Sequence, residues 1–156
     1  LAILIMGTLG PSLINVMIAV GISAIPWYAR TVRASTLVVR EYDHILATRA
    51  IGATTLRIMF RHALPNVVAP VIVLSTIGIA GAILAISGLS FIGLGAQPPS
   101  PEWGSMLSQA RVYLQQAWWI GTFPGIAIML AVMSINVIGD ALRDALDPRM
   151  RGMVKE

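Results

Sequence analysis

The side chains in this 156-residue chain that could do chemistry are few, and most sit together. Both histidines, His44 and His62, share one polar stretch with Arg30, Arg33, Arg40, Arg49, Arg57, Arg61, Glu41 and Asp43. A metal centre there would need more ligands than two imidazoles, so solvated or interfacial histidines are expected and no metal site is assigned. There is no cysteine, which removes thiolate nucleophiles, thiolate metal sites and disulfides. No Gly-x-x-x-x-Gly-Lys-Ser/Thr loop occurs, so the chain is not expected to bind ATP or any other cofactor by itself. His-Glu-x-x-His and Gly-x-Ser-x-Gly are absent as well, and no catalytic residue is assigned. Gly88-Leu-Ser-Phe-Ile-Gly93-Leu-Gly95 has suggestive glycine spacing but comes after an apolar helical run rather than a strand. It reads as a bend at the outer membrane surface.

What the polar stretch can do is present a surface. On a helix, Tyr42, Ile45, Leu46 and Arg49 share one side, at i, i+3, i+4 and i+7. Asp43, Ala47, Ala50 and Thr54 make a second face of small residues. A smooth face of that kind lets a helix sit deep in a groove on another protein, with Arg49 at the edge able to find a carboxylate. An amphipathic helix lying on lipid has the same periodicity, and spacing alone leaves both readings open.

The elements that position this stretch are set by composition. Hydrophobic residues make up 56% of the chain and charged residues 12%, about half the charge of a soluble domain. Three uncharged stretches exceed the ~18 residues that suggest a membrane span. Leu1 to Ala29 lacks any Asp, Glu, Lys, Arg or His. Gly10-Pro11-Ser12 divides it, because proline disfavours helix in the residue before it and Ser12 can cap the next helix. Leu1 to Leu9 is therefore the end of one span and residues 12–28 the next, with Pro26 kinking its last turn and Trp27 and Tyr28 at the interface. The loop 30–61 accommodates two short helices, one from about Ala34 to Ile51 stopped by Gly52, the other capped by Thr54 or Thr55 and running toward His62. Pro65 suits the first turn of a new helix, where its missing N–H matters least, and opens a span over 65–89. The pairs Gly78/Ala82 and Gly81/Ala85 give that span small residues for close helix approach. In the loop 93–117, Gln97-Pro-Pro-Ser-Pro101 excludes regular structure and Trp103 to Tyr113 forms a short helix at the outer interface. Trp118 and Trp119 open the last span, 118–138, and residues 140–156 form a polar tail carrying Arg143, Arg149, Arg151 and Lys155. Arg143 and Asp147 are spaced to pair at the end of the last helix. Counting Lys and Arg places loop 30–61 and the tail in the cytoplasm and loop 93–117, with its single Arg111, outside. The chain opens inside an apolar run with no basic stretch before it; that is no signal-peptide pattern and reads as a chain whose N-terminal part is missing. The fold class is all-α, a polytopic bundle. The modest charge of +4 lies beside apolar spans and orients them; it does not suggest nucleic acid.

These residues resemble a known family. Ala47-Thr-Arg-Ala-Ile-Gly52-Ala, nine residues ending at Arg61, then His62-Ala-Leu64-Pro65 is similar to the "EAA" loop of bacterial ABC-importer permeases: E-A-A, three residues, G, nine residues, I-x-L-P. Leu46 stands for the Glu, Thr48 for the second Ala and His62 for the Ile; Asp43 and Glu41 are nearby carboxylates. Ser90-Phe-Ile-Gly-Leu-Gly95, Gln97-Pro-Pro-x-Pro101-x-Trp-Gly104 and Gly139-Asp-x-Leu-Arg-Asp-x-Leu-Asp-Pro148 look like the peptide and nickel branch, in its C-type subunit. The resemblance implies a six-span inner-membrane permease, of which this chain holds the last three spans and the end of the third. It further implies a second permease subunit as heterodimer partner, two ATPase subunits carrying ATP and Mg, and an extracytoplasmic solute-binding protein. Asp43, Leu46, Ala47, Thr48, Arg49, Ala50, Gly52, Ala53, Leu64 and Pro65 then form the coupling loop that each ATPase grips.

Polar residues inside the spans, Asn15, Ser75, Thr76, Ser134 and Asn136, are candidates for lining a path. The bland alternative, bonds between helices worth about 0.6 kcal/mol each, is favoured. A gradient-driven secondary transporter would place ionisable groups near the midplane, and these spans have none. A membrane-embedded enzyme would need a convergent catalytic set, which the motifs do not supply. Only the loop pattern speaks against a non-transporting scaffold.

Overall fold

The structure, a computed structural model, describes residues 2–146. Leu1 and the tail from Asp147 on, with Arg149, Arg151, Lys155, the expected Arg143–Asp147 pair and the Pro148 end of the last motif, lie outside the described residues. Among the described residues every regular element is helical: α1 (Ala2–Leu9), α2 (Leu13–Arg40), α3 (Asp43–Ala50), α4 (Thr55–Ile58), a π-turn over Met59–Ala63, α5 (Leu64–Phe91), α6 (Trp103–Ala110), a 3-10 turn over Arg111–Tyr113, and α7 (Trp119–Leu146). Three stretches, Leu13–Arg40, Thr55–Phe91 and Trp119–Leu146, are long and apolar enough to cross a membrane. Only 11% of each apolar window is buried within the chain, so lipid or other spans must cover the rest.

Polarity proves a poor guide to where these helices end. The helix expected to close near Tyr28 runs unbroken to Arg40. Arginine is a good helix former and no glycine or proline occurs between Pro26 and the end, so charge marks a change of surroundings and not of conformation. The helix expected from Ala34 to Ile51 is cut at Glu41–Tyr42, where Tyr42 is extended at φ −68°, ψ 137°. The last helix likewise continues past Ile138 to Leu146, turning the start of the expected tail into helix.

The chain divides into two compact units. The first, Leu1–Ile25 with Ile77–Val137, has a core of Met6, Val16, Ala19 and Leu89. Gly10, at φ +81°, takes the left-handed conformation that reverses the chain between α1 and α2. The side-chain bonds at that turn come from Asn15, whose Nδ2 donates to the carbonyls of Leu9 (2.8 Å) and Gly10 (3.1 Å), where Ser12 was the expected cap. Farther on, the loop between α5 and α6 is fixed to the end of α5 by contacts too close for side chains. A Cβ at Gly104 would land on the Ser87 carbonyl and within 2.7 Å of the Ser87 Cα. One at Gly95 would land within 2.7 Å of the Ser90 Cα. Glu102 caps α6: its Oε2 accepts from the Ser105 N–H at 2.8 Å, and its Oε1 accepts from Ser87 Oγ at 3.4 Å. The expected close approach through Gly81 is not seen, since nothing lies within 4 Å of a Cβ built there.

The second unit, Pro26–Thr76 with Ile138 onward, has its own core: Val39, Ile45, Ile58 and Val67. That core explains the break at Glu41–Tyr42. Val39 and Ile45 are six residues apart, which on one continuous helix would set them about 120° from each other. Interrupting the helix lets both enter the same cluster. In this unit Gly139 of α7 lies against Thr76 of α5, where a Cβ would come within 2.5 Å of Oγ1.

Candidate coupling site

The site is built around α3, a helix of eight residues with little internal stability of its own. Asp43 in its first turn and Arg49 in its last turn both suit the helix dipole. Tyr42 occupies the N-cap position without a side-chain bond, and its ring lies 5.7 Å from that of His44. Thr48 Oγ1 donates to the His44 carbonyl at 2.6 Å. The far end is closed by a Schellman arrangement. The Gly52 N–H reaches the Arg49 carbonyl (3.0 Å) and the Ala53 N–H reaches the Thr48 carbonyl (3.3 Å). Gly52 sits at φ +83°, which makes it the stop that its place in the sequence implies.

One side chain attaches α3 to the unit. Ile45 is 1% exposed and packs with Val39, Ile58 and Val67, while Ala53 and Ala63 line the same cluster. The stripe expected from periodicity is therefore split. Ile45 points in, and Tyr42, Leu46 and Arg49 remain exposed. The small face, Asp43, Ala47 and Ala50, is exposed and turned outward too, Thr48 beside it is half-buried, and Ile51 beyond is 84% exposed. This leaves an outward surface of alternating charge, small side chains and two bare aliphatics, with no convergent acid, base or nucleophile. Its shape suits an apolar groove with a carboxylate at its rim. The Arg40–Glu41 pair at 3.2 Å is exposed on both sides and contributes little.

The return to the membrane differs from expectation. Thr54 holds the N-cap position of α4, without a side-chain bond. The chain then passes through the π-turn directly into α5, so Leu64 and Pro65 continue a helix and do not start one. Proline cannot donate, and its ring crowds the carbonyl four residues back. A turn with i→i+5 bonding, shown here by Leu64 N–H on the Met59 carbonyl, gives that ring room. Asn66 Nδ2 donates to the His62 carbonyl at 2.7 Å. Beside these residues lies an open cleft of about 660 Å³, walled by Pro65, Pro70 and Val73 and reached by Tyr42, Asn66 and Arg143.

The path candidates stay within their own helices. Ser75 Oγ donates to Val71 O, Thr76 Oγ1 to Val73 O and Ser134 Oγ to Leu130 O. Asn15 serves the α1–α2 turn, and Asn136 is exposed. Among the described residues, no bond from these side chains to another span is seen, whereas bonds between helices were the favoured reading. Ile58, Val67 and Asn66 organise the site and were not singled out for it from the sequence, and Ile45 was named only as one of the Tyr42, Leu46 and Arg49 face. A signal existed in the spacing Ile58, Ala63, Val67, Val71, one step of five and then two of four.

Known proteins resemble this chain over nearly its whole length. A family model described as "Binding-protein-dependent transport system inner membrane component" matches residues 1–152. The di/tripeptide transport system permease protein DppC of Pseudomonas aeruginosa is 49% identical over 151 residues, covering 97% of this chain and 50% of that protein. The dipeptide transport system permease protein DppC of Escherichia coli K12 is 46% identical over the same length and shares. A putative peptide transport system permease protein of Brucella suis is 53% identical, covering 97% of this chain and 51% of the relative. The chain spans about half the length of the curated relatives it matches. With three helices suited to a bilayer and a family match over nearly its whole length, the chain belongs to the multi-pass inner-membrane components of binding-protein-dependent transport systems.

Proposed function

We propose that this chain is part of a permease subunit of an ATP-driven importer that moves di- or oligopeptides or related solutes such as nickel chelates. It supplies a pathway and a coupling surface and performs no chemistry. Two ATPase subunits, which carry ATP and Mg, each grip a helix equivalent to α3. A second permease subunit completes the conduit, and an extracytoplasmic solute-binding protein delivers cargo. Loop 30–61 and the C-terminus face the cytoplasm, as the excess of arginine supports.

The observation that carries this reading is the construction of α3. It is a two-turn rod between two spans, with Ile45 its one fully buried side chain and most of its surface exposed for a partner. ATP-driven closure of the ATPases displaces such a rod as a rigid body, and the spans attached to it rock. The peptide cargo is supported by the names of the relatives.

Arg49→Glu in the full-length subunit, expressed with its partners, tests the reading. The expected result is loss of uptake with normal membrane insertion, because the charge at the edge of the docking face is reversed. Normal uptake with normal ATPase co-purification, or labelling of residues 40–62 from outside the cell, would overturn it.

A further inference from the structure

The π-turn places two side chains where a plain helix could not. Ile58 and Val67 are nine residues apart, and at about 100° per residue an α-helix would set them on opposite faces. Both are buried in the one cluster that holds Ile45. The π-turn between them absorbs one surplus residue, which brings Val67 round by about a quarter turn or more toward the face of Ile58. The series Ile58, Ala63, Val67, Val71, alternately buried and half-buried in that cluster, records this as a single five-residue step across Met59–Ala63.

Resting on the coupling reading above, we propose that the π-turn sets the rotational phase of the α3–α4 segment on α5, with Pro65 and Asn66 as its positioning residues. The Pro65 ring opposes relaxation to α-helix by crowding the Arg61 carbonyl, and it offers no N–H to reward that relaxation. The Asn66 amide reaches back across the joint to the His62 carbonyl, replacing one of the bonds the wide turn lacks. Relaxation to a plain helix would rotate α4 by about one residue's angle, roughly 100°, and swing Ile58 out of the cluster that grips Ile45. The displacement of α3 would then no longer reach α5 through that cluster.

The test exploits an asymmetry. In a plain helix, adding or removing one residue shifts the phase equally. Here removal of Phe60, which is exposed, deletes the surplus residue and leaves Ile58 and Val67 in phase. Both changes are made in full-length Pro65→Ala subunits assembled with their partners: deletion of Phe60 in one, insertion of an alanine after Phe60 in the other. Two readouts are taken: bismaleimide cross-linking between Ile45→Cys and Val67→Cys, and substrate transported per ATP hydrolysed. The 156 residues hold no other cysteine. Pro65→Ala alone should lower cross-linking and transport per ATP, and the added deletion, which puts Ile58 and Val67 in phase on a plain helix, should bring both back toward the level of the unaltered subunit. The insertion should lower transport per ATP by about tenfold or more, with the ATPase still co-purifying. Asn66→Asp, which keeps the shape and loses the donor, should lower cross-linking and transport per ATP together. Equal damage from deletion and insertion, or none from either, would overturn the proposal. Should the parent subunit fail to retain an ATPase, the coupling reading fails, and cross-linking alone still decides the phase.

Discussion

Two short helices in this molecule invite comparison: α3 and α6, each eight residues long and each coming after a long apolar helix. α6 buries Gly104, Ser105 and Ala110, has its N-terminus capped by the Glu102 carboxylate, and meets the backbone of Ser87 through Gly104 without an intervening side chain. α3 buries Ile45 alone, has no side-chain cap, and meets its unit through one aliphatic side chain. The first is fixed backbone to backbone; the second hangs on a knob. Glycine contact resists displacement, since no rotamer can give way, whereas a single buried side chain leaves a helix free to present its remaining faces.

The comparison can be broken most directly at the knob. Ile45→Ala should remove about 2–5 kcal/mol from the attachment of α3. Amide hydrogen exchange over residues 43–50 would rise steeply while exchange in α6 stays as before. Gly104→Ala should be the next most damaging, at about 1–3 kcal/mol, because the added methyl meets backbone that has nowhere to go. Protease nicking between Gln97 and Tyr113 would report it, and α3 would be untouched. Gly52→Val should cost about 1–2 kcal/mol for a reason unrelated to crowding: nothing lies within 4 Å of a Cβ there, and the penalty is the left-handed backbone itself. Exchange at the Gly52 and Ala53 amides measures it. Glu102→Ala should cost about 1 kcal/mol by uncapping α6, read as faster exchange of the Ser105 amide. Equal responses of α3 and α6 to Ile45→Ala and Gly104→Ala would erase the distinction.

Much of the fold could be read from the chain, and the parts that could were local. Uncharged runs gave the three long helices, Gly52 its helix stop, and Trp103 to Tyr113 a short helix. What escaped depends on partners distant in sequence. The break at Tyr42 carries no glycine or proline; it exists because Val39 and Ile45 compete for one core. The close glycine approaches occur at Gly95, Gly104 and Gly139, where a neighbour's backbone or hydroxyl happens to arrive, and not at Gly81, whose spacing pattern looked suitable. Which side chains of α3 face out and which hold it was not legible from the loop. Periodicity grouped Ile45 with Leu46, and only packing separates the one that holds from the one that is offered.

The meeting of Gly139 with Thr76 has a mechanical consequence. The Thr76 hydroxyl is itself tied to the Val73 carbonyl, so it fills the notch above Gly139 as a fixed peg. A slide of even one residue's rise, about 1.5 Å, would carry the notch off the peg. At that point α5 and α7 are therefore denied axial travel and left with swivelling, as two blades are at a rivet.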